Sequence, residues 1–178
     1  MVSLVFVFWI LVVLFGVIGG MRGWAKEMLV TFSVILALTL ITLLDSYVGF
    51  FKNIAQEDPN LHFWVTGAIV GVLVFFGYQT PNFARFAPKM AREKFQDVLL
   101  GIVIGLINGY LIAGSIWFFL YKAKYPFPGI TDPLLANIPQ VVDAAKKLLP
   151  LLPPSWLGIP GIYFAVVVAF IFVIVVFV

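Results

Sequence analysis
The sequence predicts an all-α fold, a polytopic bundle of four to five transmembrane helices with a proline-rich amphipathic segment near the carboxyl end. Composition carries the first part of that prediction. Of 178 residues, 63% are hydrophobic and only 11% are charged, and the mean hydropathy is +1.12. A soluble domain of this length needs far more charge to cover its surface. Run length carries the rest, because the apolar residues fall in long unbroken stretches. A hydrocarbon layer about 30 Å thick takes about 20 apolar residues of helix to cross. Residues 2–20, 28–50, 62–78, 98–121 and 161–178 each meet or approach that length.

The same composition excludes several function classes. There is no cysteine, so no disulfide framework, thiolate metal site or cysteine nucleophile can form. The single histidine, His62, leaves too little material for a zinc or haem centre. A net charge of +3 is too small and scattered for a nucleic-acid footprint and suits anionic lipid headgroups instead. No cofactor or metal site is expected, and bound membrane lipid is. No Ser-His-Asp set, H-E-x-x-H helix or phosphate-binding glycine loop is present, so no catalytic residue is assigned.

Along the chain, residues 1–121 form a four-span domain. The first two spans are joined only by Gly19-Gly20-Met21-Arg22-Gly23-Trp24-Ala25-Lys26-Glu27. Glycine freedom permits a tight reversal there, and Trp24 suits the headgroup level. A loop with Lys52, Glu57, Asp58 and Pro59 leads to the third span, which opens at His62 and contains Gly67, Ala68, Gly71 and Gly77. The next loop holds Arg85, Lys89, Arg92 and Lys94 against Glu93, the densest basic segment of the chain. With Arg22 and Lys26 it places the first and third loops in the cytoplasm and the amino terminus outside. The first span has no preceding basic residue and no small-x-small cleavage site before Arg22, so it reads as a retained helix.

Residues 122–160 hold eight of the eleven prolines. Asp132-Pro133 reads as an N-cap and first turn, and Asn137 with Pro139 as the start of a second short helix that Pro150 ends. Apolar residues at helical spacing place this segment along the membrane interface or against a partner protein. Residues 161–178 are apolar to the last and predict a fifth span.

Two stretches taken together resemble a known family. They are Arg22-Gly23-Trp24-Ala25-Lys26-Glu27-Met28 between two apolar helices, and Asp97-Val98-Leu99-Leu100-Gly101 continuing through Gly105 to Gly109. Over roughly residues 1–150 the order and spacing are similar to the colicin V production (CvpA-like) family of bacterial inner-membrane proteins. Asn108 stands where that pattern leads one to expect a basic residue, and residues 161–178 extend beyond the usual four spans. The resemblance implies a bacterial cytoplasmic membrane and a non-catalytic role associated with toxin export or the envelope. The apolar surface and terminal helix also fit an accessory subunit of a respiratory or photosynthetic complex, and a small channel or transporter is the third alternative. Partners are then lipid and either copies of the chain or other membrane subunits.

Candidate sites follow from the spans. Gly101, Gly105 and Gly109 share a face, with Gly114 about a turn further on, and bare backbone at that spacing lets a neighbouring helix approach closely. Gly67 and Gly71 offer the matching groove. A substrate path along that backbone is the alternative. Asn108, near the middle of its span, needs hydrogen-bond partners that lipid cannot supply, whether from another helix or on a polar pathway. Arg22, Lys26 and Glu27 surround the hairpin turn as headgroup anchors or as a buried ion pair; on a continuous helix Glu27 would point away from Arg22. Asp45 and His62 read as interfacial groups; a functional intramembrane acid at Asp45 and ligation of a magnesium porphyrin or metal by His62 are the less favoured roles. With Asn108, the scattered Thr31, Thr39, Thr42 and Thr66 make only a thin polar pathway, which disfavours the channel or transporter reading.

Overall fold
A computed structural model describes residues 3–79, 94–130 and 132–177. Helix α1 (Leu4–Arg22) and helix α2 (Trp24–Tyr47) are separated by one residue. That residue is Gly23, whose φ of 84° lies in the left-handed region that side-chain-bearing residues avoid. Helix α2 stops at Val48, which is extended, and the chain continues as helix α3 (Gly49–Glu57). The sequence reading expects a loop here. A nine-residue amphipathic helix forms instead, burying Phe51 and leaving Lys52 and Gln56 exposed. The Asp58 carboxylate accepts the Leu61 N–H at 3.0 Å and Pro59 fills the first turn, which starts helix α4 (Pro59–Tyr78). Helix α5 (Lys94–Lys122) has 29 residues, about 43 Å at 1.5 Å per residue, so it extends beyond a hydrocarbon layer.

Four of these helices, α1, α2, α4 and α5, are long and apolar enough to cross a membrane. Their apolar residues divide into two sets. Val34, Ala37, Leu38, Ile41, Val70 and Leu111 pack together inside the bundle, and Val30 is buried as well. Phe6, Ile10, Val13, Leu14, Val17, Val72 and Phe76 face outward, where only lipid or another protein can cover them. The last helix, α8 (Gly161–Phe177), has 17 residues and packs on α2. Its length of about 25 Å falls somewhat short of the layer.

Between α5 and α8 the prolines break the chain into short pieces. The first is a 3-10 turn, Pro133–Leu135, capped by the Asp132 carboxylate through the Leu134 N–H at 2.9 Å. Next come the amphipathic helix α6 (Pro139–Leu148) and, after a second 3-10 turn, the single-turn helix α7 (Pro153–Trp156). Their apolar side packs on the bundle itself: Ala145 and Leu152 are buried with Phe8, Val12 and Trp117. Pro153 lies against Gly114, where an added Cβ would come within 2.6 Å of its ring. Tyr110 donates from its hydroxyl to the Leu151 carbonyl and accepts the Trp156 indole N–H at 3.0 Å. Tyr125, beside Trp117 at 3.3 Å, is pushed up to about 12 by burial and stays protonated.

Candidate functional site at the hairpin turn
The glycines of α5 meet α1. A Cβ on Gly105 would lie 3.0 Å from the Gly19 Cα and 3.1 Å from the Gly16 Cα, and one on Gly109 would lie 2.8 Å from the Val12 Cα. The backbones of the two helices touch along three turns, so each glycine excludes any side chain. The groove assigned from sequence to Gly67 and Gly71 is not the partner face. A Cβ at either position meets nothing within 4 Å, because that side of α4 points away from the bundle. The complementary face is Gly16 and Gly19, four and seven residues past Val12 on α1.

This close seam brings the start of α5 to the hairpin turn. The Asp97 carboxylate accepts the Trp24 N–H at 3.1 Å, so it caps the amino end of α2 from another helix. Gly23 is doubly constrained, by its positive φ and by the Asp97 oxygens that a Cβ would approach at 2.6 and 2.7 Å. Asp97→Ala removes the cap and should cost about 0.5–2 kcal/mol, read as a lowered unfolding midpoint in detergent micelles. An unchanged midpoint would show that water replaces the carboxylate.

One turn deeper, four helices contribute to a buried polar network. Because Gly23 turns the chain, Arg22 and Glu27 do not lie on one continuous helix. The guanidinium folds back and donates to Glu27 Oε1 at 2.7 Å, making the ion pair that the turn permits and continuous-helix geometry forbids. Arg22 donates also to the Tyr78 carbonyl at 3.1 Å, with its charge 4.3 Å above the Tyr78 ring. From α5, the Asn108 amide donates to Glu27 Oε2 at 2.8 Å and to the Glu27 carbonyl at 2.9 Å. Its own oxygen accepts the Thr31 hydroxyl at 2.7 Å. Glu27 and Asn108 are both 0% exposed, and the Arg22 side chain is 19% exposed. Each carboxylate oxygen therefore has a donor, which a buried charge requires. Lys26 stands outside this set and makes no ion pair with a described residue.

A second polar pair lies at the opposite end of the bundle. His62 Nε2 is 3.0 Å from Asp45 Oδ1, and the ring stands edge-on to Phe51 at 5.2 Å. The sequence gives each a separate interfacial role; the short α3 connection brings them together. Among the described residues no group of three or more His, Asp or Glu is placed to hold a metal ion. The basic loop residues Arg85, Lys89 and Arg92 lie outside the described residues.

Residues 4–137 match the family described as Colicin V production protein. The chain belongs to the colicin V production family. No curated protein and no solved structure gives a significant match. In this colicin V production family member the matched region contains α1–α5 entire, and with them Arg22, Glu27, Thr31, Tyr78, Asp97 and Asn108. Helices α6–α8 lie beyond it. It is a multi-pass membrane protein by its family and its four spanning helices.

Proposed function
We propose that this colicin V production family member is a non-catalytic component of the bacterial cytoplasmic membrane that supports toxin export or envelope function. The observation that carries this reading is the use made of the buried charges. Glu27, Arg22 and Asn108 spend their donors and acceptors on one another, on Thr31 and on the Tyr78 carbonyl, joining α1, α2, α4 and α5. The Glu27 carboxylate is fully buried with a donor on each oxygen, whereas a general base has to be presented to its substrate. The network acts as a clasp, and the outward surface is apolar.

The test uses a host that produces colicin V and lacks its own copy of this chain. Toxin activity in the medium should fall while cell-associated toxin persists, and the wild-type chain should restore release. Across a graded series at Glu27, Asn108 and Gly105, release should follow the amount of folded protein in the membrane. A Glu27→Gln variant present at full level yet without release would indicate chemistry at the carboxylate and sink the non-catalytic reading. Orientation can be checked in the same cells, since the chain has no cysteine of its own. A membrane-impermeant maleimide should label Ser46→Cys in intact cells and Gln96→Cys only after lysis; the reverse would invert the topology.

A second reading, an accessory subunit held by neighbours, is favoured by α8. It presents Phe164, Val167, Val168, Phe170 and Ile171 outward and packs chiefly on α2. Mild extraction and native electrophoresis with mass spectrometry separate the two. Stoichiometric foreign subunits would favour the accessory role, and a lone chain or homo-oligomer the export role.

A further inference from the structure
The end of the bundle opposite the hairpin clasp contains a recess of about 490 Å³. Its walls come from the carboxyl ends of α2 and α5, from α3, from the first turns of α4 and from the chain entering α8. Its chemistry is split. Ile41, Phe119 and Leu157, all buried, make an apolar floor, while the exposed Lys52 and Lys122 form the rim together with the Asp45–His62 pair.

The charges do not balance within the protein. The Asp45 carboxylate is engaged by His62 at 3.0 Å. Neither lysine has a carboxylate within ion-pair distance among the described residues. Lys122 is held near the recess by the Phe118 ring, 5.5 Å from its ammonium. Lys52 is fixed by α3, whose Phe51 is buried against His62. Two ammonium groups against one occupied carboxylate leave an excess positive charge beside an apolar floor.

We propose that this recess binds the phosphate headgroup of an anionic phospholipid, with Lys52 and Lys122 on the phosphate and the glycerol end of an acyl chain on the apolar floor. Position selects a lipid over a free anion. The recess lies where α2 ends, α4 begins and α5 ends, which is the headgroup level of a bundle whose middle is apolar. The volume accommodates a headgroup with the start of a chain, and the remainder runs along the exposed apolar surface of α8. A zwitterionic lipid brings its own cation and neutralises less of the rim.

The full chain, delipidated in a mild non-ionic detergent, is titrated with phosphatidylglycerol or with phosphatidylcholine and followed by native mass spectrometry. One phosphatidylglycerol should bind about tenfold more tightly than phosphatidylcholine. Lys52→Gln combined with Lys122→Gln should remove about that factor, while Lys146→Gln with Lys147→Gln on α6 should leave it. All four lysines are exposed, so the core is undisturbed in both variants. Equal affinity for the two lipids, or full phosphatidylglycerol affinity in the Lys52/Lys122 variant, would overturn the proposal. Excess inorganic phosphate supplies the last arm. Failure to displace the lipid supports a lipid site, whereas displacement, with phosphate binding that needs the same two lysines, would reassign the recess to free phosphate.

Discussion

Glu27→Leu should destabilise the protein by about 3–5 kcal/mol, the cost of breaking a buried ion pair from one side. The substitution leaves the Arg22 guanidinium partly buried without its anion and removes the acceptor of one Asn108 N–H. Desolvation of the widowed charge accounts for most of the loss, not the net worth of the pair. It follows that Arg22→Met with Glu27→Leu should recover a substantial part, because the second change removes the stranded cation. A double-mutant cycle, read from reversible unfolding in mixed micelles, measures that coupling. If Glu27→Leu moved stability by less than about 1 kcal/mol, water would be reaching the pair and the clasp would not be one. Glu27→Gln should be damaging too, since its amide turns a donor toward either Arg22 or Asn108.

Gly105→Leu should be comparably severe, at about 3 kcal/mol or more, for a steric reason. Its Cβ alone would press on the Gly19 and Gly16 Cα atoms at 3.0 and 3.1 Å. The neighbour there is backbone, which has no rotamer to change, so α1 must move off α5. Overpacking typically costs 1–3 kcal/mol, and separation of two helices also forfeits dispersion contacts along their length. Moving α1 also carries Arg22 and Gly23 away from Asp97, so the cap and the clasp weaken with the seam. Gly67→Ala is the control: it meets open space and should be neutral or stabilising by up to about 1 kcal/mol. Thermal unfolding of the three proteins in one detergent decides the matter. Equal midpoints for Gly105→Leu and wild type would mean that the seam is not closed in the membrane.

The sequence discloses these features unequally. Apolar runs of spanning length announce α1, α2, α4 and α5, since lipid demands both the length and the composition. Glycine at every fourth position likewise announces a bare face on α5. The identity of the helix that meets it is not encoded in the same way, because small residues state that something approaches closely and not what. Gly16 and Gly19 lie in a run of Val, Ile, Leu and Phe whose hydropathy hides them, whereas Gly67 and Gly71 repeat the four-residue spacing and attract the assignment. The Arg22–Glu27 pair is obscured by an assumption about backbone. Five residues apart on one helix the two would diverge, and only the left-handed turn at Gly23 reverses this. A glycine between an arginine and a tryptophan was the available signal. Helix α3 is hidden by its polar residues, which average to a loop although Phe50, Phe51 and Ile54 recur at helical spacing. With α3 unseen, Asp45 and His62 remain strangers.

The clasp also imposes an order on biogenesis. Glu27 and Asn108 are 81 positions apart. At a synthesis rate of about 5–20 residues per second, roughly 4–16 s separate the emergence of the first hairpin from that of its closing helix. During that interval the hairpin contains an acid with only Arg22 to answer it and a strip of bare backbone with nothing laid against it. Insertion of α5 ends both conditions at once. A chain interrupted before that helix therefore presents the membrane's proteases with an unfinished hairpin, and completion is signalled by the arrival of a single amide.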